Sequence, residues 1–301
     1  GMIVGIDVGG THTDAVLLES LHVRKTAKAV TNQDNLLESL VAVTEEVMRG
    51  EDPREIERIV LSTTMSTNAI VQGKTDRVGM ILAGGPGLPP EMLAIGQDTH
   101  CVSGYVNHRG IRVAGTEPRE VARIAELFES SRIEHVGIVG KFSTRNPALE
   151  TEIGDMLEGR FRHLSFGHRM SGNLNFPRRI ATTYLNAAIW ETYKAFVASV
   201  MAYAEHMRVA APLYILKADG GTTSISQSLE YPVGSILSGP AASVMGVLSL
   251  TDGTEDAVAL DIGGTTTDIA IFADGVPLLE PLGVTIGGHK TLIRGLLTRS
   301  I

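Results

Sequence analysis

DVGGTHTD at residues 7–14 returns near the far end of the chain as DIGGTTTD at residues 261–268. The two octets differ only at Val8 against Ile262 and His12 against Thr266. Their flanks correspond as well. Met2–Val8 is a short apolar run, followed by Gly9-Gly10 and the apolar stretch Ala15–Leu18. Ala257–Ile262, Gly263-Gly264 and Ile269–Phe272 repeat the plan. Apolar run, glycine pair, apolar run spells strand, tight turn, strand. The copies are too far apart for a solenoid repeat, so they predict two related domains facing one another.

The octet also carries chemistry. Asp7 ends an apolar strand, where an ionised carboxylate needs a partner. A hydrated magnesium ion is one such partner, because Mg²⁺ prefers oxygen ligands and keeps most of its waters. Gly9 and Gly10 let backbone N–H groups point into a concave turn that holds phosphate oxygens. Thr11 and Thr13 offer hydroxyl donors to the same oxygens. Asp261, Gly263, Gly264, Thr265 and Thr267 supply the same set from the second copy. Two such bends would clamp a polyphosphate and its metal, and phosphoryl transfer needs mainly that positioning and charge neutralisation. A lone Asp-Gly-Gly-Thr is equally an ordinary hairpin turn. Duplication with matching flanks favours the phosphate cradle. Asp14 and Asp268 either touch this site or bond to turn amides.

Other segments fill in the domain plan. Val23–Ala29 and Val276–Thr285 read as a third strand after each hairpin. Leu36–Arg49 has helical spacing, with Leu36, Leu37, Leu40, Val43, Val47 and Met48 largely on one face. Ile56–Leu61 is a buried strand leading into the hydroxyl-rich run Ser62–Asn68. That run enters a helix and is either an anion site or an ordinary N-cap. Gln72-Gly73-Lys74-Thr75 ends like a P-loop, but Asn68 stands where the first glycine is needed. Arg77–Leu82 and Val136–Val139 are further strands, and Pro118–Ser130 is a helix opened by proline. A long helix spans Ala181–Met207, with Leu185, Ala188, Ile189, Phe196, Val200, Tyr203 and Trp190 in its core stripe. Leu213–Leu216 is a strand ending at Asp219-Gly220-Gly221, a hinge beside the cleft or a surface turn. Ser238-Gly239-Pro240-Ala241 opens another helix, and Leu292–Leu297 is one more. The expected fold is α/β: a ribonuclease-H-like domain over 1–75 plus 176–250, an inserted α/β subdomain over 76–175, and the start of a second ribonuclease-H-like domain over 251–301. A second domain lacking its later strands would expose an apolar sheet face, so the chain reads as part of a longer protein.

Composition removes several classes. The 301 residues are 43% hydrophobic and 20% charged, as in soluble globular proteins. A net charge of -8 argues against a nucleic-acid surface. Cys101 is the single cysteine, which excludes an internal disulfide framework, a CxxC zinc site and an iron–sulfur cluster, and suits a reduced cytoplasmic setting. No apolar run approaches the ~20 residues of a membrane span. His100 and His108 flank Cys101 without zinc spacing and read as solvated loop residues. Gly1 before Met2 reads as a scar of tag removal.

The paired hairpins resemble the actin, sugar-kinase and heat-shock chaperone superfamily. STTMSTNAIV at 62–71, ATTYLNAAI at 181–189, LSGPAASVMG at 237–246 and LDIGGTTTDIAIF at 260–272 narrow the resemblance. Together they look like the hydantoinase/oxoprolinase family, the A-type subunits of N-methylhydantoinase, 5-oxoprolinase and acetone carboxylase. Leu61-Ser62 stands where that family usually has His-Gly. The resemblance implies ATP and Mg²⁺ held between two ribonuclease-H-like domains of the actin-like ATPase type. It implies ATP-driven opening of a cyclic amide, or a related carboxylation, with a B-type subunit or domain as partner. Carried over by position, Asp7 and Asp261 would hold the metal. Thr63, Thr64, Thr67 and Asn68 would line the cleft near substrate or γ-phosphate. Ser238 and Gly239 would lie at the helix joining the domains, with Gly220 and Gly221 beside the nucleotide. Two other functions use the same scaffold: a small-molecule kinase with Asp14 or Asp219 as base, and an ATP-driven scaffold or reactivating chaperone.

Overall fold

The computed structural model describes residues 1–20, 22–236, 257–262, 267–273, 276–277, 279–295 and 298–300. For 257–277 and 298–300 the description is of the backbone. Internal contacts divide the chain into two units. The first comprises Gly1–Ala69, Thr192–Gly283 and Arg294–Ile301, and the second Ile70–Glu191 and Val284–Ile293.

The first unit opens with a meander, β1 (Met2–Val8), β2 (His12–Glu19) and β3 (His22–Val30). Alternation sets its faces: Met2, Val4, Ile6 and Val8 of β1 and Thr13, Ala15 and Leu17 of β2 are buried. Helix α1 (Leu36–Met48) is capped by the Asn35 side chain, which accepts the Glu38 N–H. It buries Leu36, Leu40, Val43 and Val47 of the expected stripe, while Leu37 and Met48 at its margins are only half-buried. β4 (Ile56–Thr63) then runs parallel to β1, and α2 (Met65–Val71) follows.

The second unit contains β5 (Val78–Ala83), α3 (Pro90–Leu93), β6 (Asp98–Cys101), the small hairpin β7 (Tyr105–Val106) and β8 (Arg112–Ala114), α4 (Pro118–Ser130), β9 (His135–Gly140), α5 (Ala148–Leu157), β10 (His163–Phe166) and α6 (Gly167–Met170). Its sheet has the order β10-β9-β5-β6, with every pair parallel. Every residue of β5 and β9 is buried, as a parallel sheet covered on both faces requires. Ile81, Val136 and Ile138 pack with α4 and α5 through Val121, Phe128, Leu149 and Ile153. On the other face Val78, Met80 and Leu82 meet Leu93 of α3 and Phe176, Ile180 and Ala187 of α7 (Phe176–Met207).

Returning to the first unit, β11 (Leu213–Leu216), β12 (Thr222–Ser224) and α8 (Ile225–Glu230) complete a sheet of order β12-β11-β4-β1-β2-β3. β1, β4 and β11 are parallel, β2 runs against them, and β3, antiparallel to β2, runs with them again. This is the ribonuclease-H arrangement. β13 (Ala257–Ile262) and β14 (Thr267–Ala273) form the second hairpin, in which Asp261 faces Asp268 and Ile262 faces Thr267. The first hairpin has the same register, with Asp7 facing Asp14 and Val8 facing Thr13.

Several elements differ from the sequence reading. Helix α7 begins five residues before Ala181, because the Asn175 side chain accepts the Arg178 N–H and Pro177 suits the first turn. Among the described residues, the strand expected near Val276–Thr285 is broken into β15 (Val276–Pro277) and β16 (Thr285–Ile286), with Pro281 and Gly283 between them. The outer edge of β14 is shared between β15 and β18 (Thr298–Ser300). Residues 292–295 are not helical. Ile293 is fully buried and its carbonyl accepts the Val284 N–H at 3.0 Å, beside the β16–β17 hairpin (β17, His289–Lys290). His100 lies on β6, edge-on to Phe128 at 5.5 Å, while His108 is exposed. Trp190 is half-buried and stacks on His163 at 4.3 Å.

One charged network holds the second unit together. Glu150 and Arg179 are both fully buried. Glu150 accepts the N–H of Gly140 at 2.9 Å, the N–H of His168 at 2.9 Å and the ring Nδ1–H of His168 at 2.7 Å. Arg179 donates to the carbonyls of Gly140 and Asn173 at 2.8 and 2.9 Å. Burial pushes its guanidinium down from the usual range, and Glu150 pulls it back up. Glu150→Ala strips Arg179 of its counter-charge and is expected to cost about 3–5 kcal/mol. Urea unfolding followed at Trp190 measures this, and a loss within experimental error would show that the network does not hold the fold.

Candidate nucleotide site

Because β1, β4 and β11 are neighbours and parallel, their carboxyl ends emerge along one edge of the first sheet. Ligands of open α/β sheets bind outside such ends. Three segments leave there: the Gly9–Thr11 bend, Thr64–Asn68, and the Lys217–Gly221 turn. The antiparallel meander brings the end of β3 to the same edge, since Val30 pairs with His12.

The first bend is closed by Gly9 N–H donating to the His12 carbonyl at 3.0 Å. A Cβ on Gly9 would lie 2.8 Å from that same oxygen, so only glycine fits. Thr31 holds the bend from below. Its hydroxyl donates to the Gly9 carbonyl at 2.8 Å and lies 2.9 Å from the Thr13 hydroxyl, and its N–H donates to the Thr11 carbonyl at 2.9 Å. Gln33 Nε2 donates to the Gly10 carbonyl at 2.8 Å. Two expectations are corrected here. Thr13 is fully buried, so its hydroxyl braces the bend and is not presented to a ligand. The Gly9 amide is consumed within the turn. Among the described residues, the N–H groups of Gly10 and Thr11 have no hydrogen-bond partner, and Thr11 is exposed. These are the donors left for an anion.

Asp7 is half-buried, and its Oδ1 accepts the Ser62 hydroxyl at 2.9 Å. Asp14, opposite it, pairs with Lys28 at 3.4 Å. Both partners there are about half exposed, so that pair contributes little stability. Thr63 takes the capping role weighed for this run. It donates to the Val8 carbonyl at 2.9 Å and accepts the Met65 N–H at 3.1 Å. That leaves Thr64 and Asn68 facing the bend. Thr64 Oγ1 is 3.6 Å from the position of a Gly9 Cβ, and Asn68 Nδ2 is 3.7 Å from that of Gly10. The hydroxyls of Ser66 and Thr67 are buried with no partner among the described residues.

Asp219-Gly220-Gly221 is a hairpin turn joining β11 to β12, not a hinge. Gly220 has φ +85°, the left-handed region where glycine is preferred. Its N–H donates to Lys217 O at 3.0 Å, and the Gly221 N–H donates to Asp219 Oδ1 at 2.9 Å. Neither glycine therefore has an amide free for phosphate. Lys217, 3.5 Å from Asp219, puts an ammonium group on this edge. Thr31, Gln33 and Lys217 were missed in the sequence. The polar run Thr31-Asn32-Gln33 directly after β3 was the available signal for the first two.

Gly263, Gly264, Thr265, Ser238 and Gly239 lie outside the described residues. Asp261 and Thr267 are placed by strand register only. No cluster of three or more metal-ligating side chains occurs among the described residues.

Residues 3–161 match the N-terminal region of the hydantoinase/oxoprolinase family, and residues 179–301 match its hydantoinase/oxoprolinase domain. An uncharacterized protein of Methanocaldococcus jannaschii is 22% identical over 93% of this chain and 45% of its own length. The 5-oxoprolinase of Saccharomyces cerevisiae is 27% identical over 52% of this chain and 12% of its own. Acetone carboxylase in its nucleotide-free structure superposes with a TM-score of 0.85 at 18% identity, over 99% of this chain and 47% of that one. The ATP-dependent caprolactamase of Pseudomonas jessenii gives 0.77 at 18% identity, over 99% and 48%. The chain thus spans about half the length of these two structures and shares their fold. With both segments matched in order over most of its length, the chain belongs to the hydantoinase/oxoprolinase family.

Proposed function

We propose that this chain is the nucleotide-binding part of an ATP-dependent enzyme that opens cyclic amides, activating the substrate carbonyl by phosphoryl transfer from Mg-ATP. The observation that carries the reading is the repeated acid–glycine hairpin with one cross-strand register. In the first copy, the amides of Gly10 and Thr11, without partners among the described residues, follow Asp7 at the carboxyl edge of the sheet. The 5-oxoprolinase and caprolactamase relatives support the substrate class, and two of the structural relatives are described as ATP-dependent.

Bound Mg-ATP would supply the phosphoryl group, which makes the carbonyl carbon a better electrophile because phosphate leaves readily. The chain's residues take the remaining tasks. Asp7, with Asp261 as its counterpart, holds the hydrated metal, and the Ser62 hydroxyl orients the Asp7 carboxylate. Gly10 and Thr11 donate N–H groups to phosphate oxygens. Gly9 keeps the bend tight, and Thr13 and Thr31 keep it rigid. Thr64 and Asn68 face the reacting end, next to substrate or the γ-phosphate. Gly263, Gly264, Thr265 and Thr267 do the same work in the second hairpin, with Ser238 and Gly239 beside it. A B-type subunit or domain would complete the reaction. Among the described residues no helix is long and apolar enough to cross a membrane, and the lone thiol suits a reducing, cytoplasmic setting.

Asp7→Ala in the complete polypeptide, assayed with its partner, should lower amide-stimulated ATP turnover by about 10²-fold or more. The circular dichroism spectrum should be unchanged. Wild-type turnover in this variant would overturn the assignment, and a stable phosphorylated product seen by mass spectrometry would mark a kinase instead. Gly9→Ala and Gly10→Ala should separate shape from ligand access. Gly9→Ala forces a methyl to 2.8 Å from the His12 carbonyl and should cost about 1–3 kcal/mol in a thermal melt. Gly10→Ala meets nothing closer than 3.7 Å. It should melt normally while raising the KM for ATP.

A further inference from the structure

Three strands of the second unit begin side by side. Because β5, β9 and β10 are parallel neighbours, Val78, His135 and His163 stand abreast at the amino edge of the sheet. Register thus gathers the residues just before them: Asp76 and Arg77 ahead of β5, Glu134 ahead of β9 and Arg162 ahead of β10. Two backbone bonds fix this rim. The Asp76 N–H donates to the Ala188 carbonyl of α7 at 3.3 Å, and the Arg162 N–H donates to the Glu134 carbonyl at 2.9 Å. Glu191, further along α7, reaches the same edge, 3.6 Å from His135.

A cavity of about 240 Å³ opens here, and every residue lining it is ionisable. Asp76, Glu134 and Glu191 are carboxylates, Arg77, Arg132 and Arg162 guanidiniums, and His135 an imidazole. Asp98 already holds Arg77 through bonds of 2.8 and 2.9 Å. His135 is 2% exposed, yet neither ring nitrogen is hydrogen-bonded among the described residues. Nδ1 is buried without a partner. Nε2 lies 3.7 Å from Asp76 Oδ2 and 3.6 Å from Glu191 Oε1, beyond hydrogen-bond length. Both carboxylates belong to the cavity wall, so this edge of the ring faces the cavity. Buried polar atoms left open in this way call for a partner. The same Glu191 oxygen is 2.5 Å from Arg162 Nε. That contact leaves the terminal nitrogens of Arg162 without a partner among the described residues.

These groups select a ligand by charge. A simple anion would meet the carboxylates and a simple cation the guanidiniums. An apolar molecule would strip all of them of water without replacing its bonds. An ammonium group donates three hydrogen bonds, which matches Asp76, Glu191 and His135 Nε2. A carboxylate beside it matches the terminal nitrogens of Arg162, whose Nε shares the Glu191 oxygen with His135. The volume falls below the ~300–1,000 Å³ of ordinary ligand pockets, so the molecule is compact. We infer that this cavity binds a small zwitterion, a free α-amino acid, with its ammonium group among Asp76, Glu191 and His135 and its carboxylate on Arg162. All four residues belong to the second unit, and none has a part in the nucleotide site, so the inference stands or falls apart from the ATP reading.

Trp190, the chain's single tryptophan, reports on the cavity, its ring centroid 6.0 Å from that of His135. The complete polypeptide is titrated with glycine, L-alanine and L-serine. Ethylamine, propionate and propionamide, which keep one charge of L-alanine or neither, serve as controls. Trp190 fluorescence and isothermal calorimetry are read in parallel, so binding that leaves the indole undisturbed is still counted. At least one amino acid should bind saturably, and the controls at least about tenfold more weakly. Asp76→Asn and Arg162→Gln replace side chains that are about half exposed. Both should melt as the wild type does, and each should weaken amino-acid binding by about tenfold or more. If one variant does not fold, the other carries the test. Asp7→Ala should bind as the wild type does. No saturable binding of any of the three amino acids, equal binding of ethylamine or propionate, or wild-type affinity in a folded variant at Asp76 or Arg162 would overturn the inference.

Discussion

A threonine hydroxyl beneath a glycine carbonyl decides the shape of the first bend. Thr31, just past β3, reaches back to Gly9 and Thr11 and meets Thr13 from the neighbouring strand. With both carbonyls tied from below, the amides of Gly10 and Thr11 are left without partners among the described residues. That is an unusual condition for backbone, and it is stable only where solvent or a ligand supplies the acceptor. The bend thus depends on the whole three-strand meander, because only the antiparallel return of β3 brings Thr31 to the edge where β1 ends.

The hairpins, the meander and the helix stripes were legible because each is written in a local period: alternation for β1 and β2, a 3.6-residue stripe for α1, glycine pairs for turns. What escaped was set by contacts distant in sequence. Thr13 looks like a phosphate donor in the motif, yet the strand register turns it into the buried face. Leu292 and Ile293 have helical composition, but backbone pairing with Val284 holds their segment extended. The Asp219-Gly220-Gly221 turn shows the same limit, since glycines signal a bend without saying where its amides point.

The family-specific segment ATTYLNAAI has a structural explanation in this chain. Thr182 Oγ1 accepts the Leu292 N–H at 2.9 Å, Thr183 bonds the Arg179 carbonyl at 2.7 Å, and Asn186 donates to Ser165 at 3.0 Å. All three side chains are buried within the second unit. Together with the Glu150–Arg179 network they fasten the 284–293 segment and the end of β10 to α7. Buried polar groups that are fully paired favour one packing over its near neighbours. This segment therefore specifies the scaffold.

The two hairpins each set one aspartate directly across from another. Matching charges at such positions oppose strand pairing. In the first hairpin Lys28 offsets one of them from the next strand. Any cation that settles between the carboxylates relieves the remaining strain, so it tightens the sheet as it binds. On the proposed metal reading, folding and metal uptake would be thermodynamically linked: a hairpin that held the ion would also be the part of the sheet that the ion consolidates.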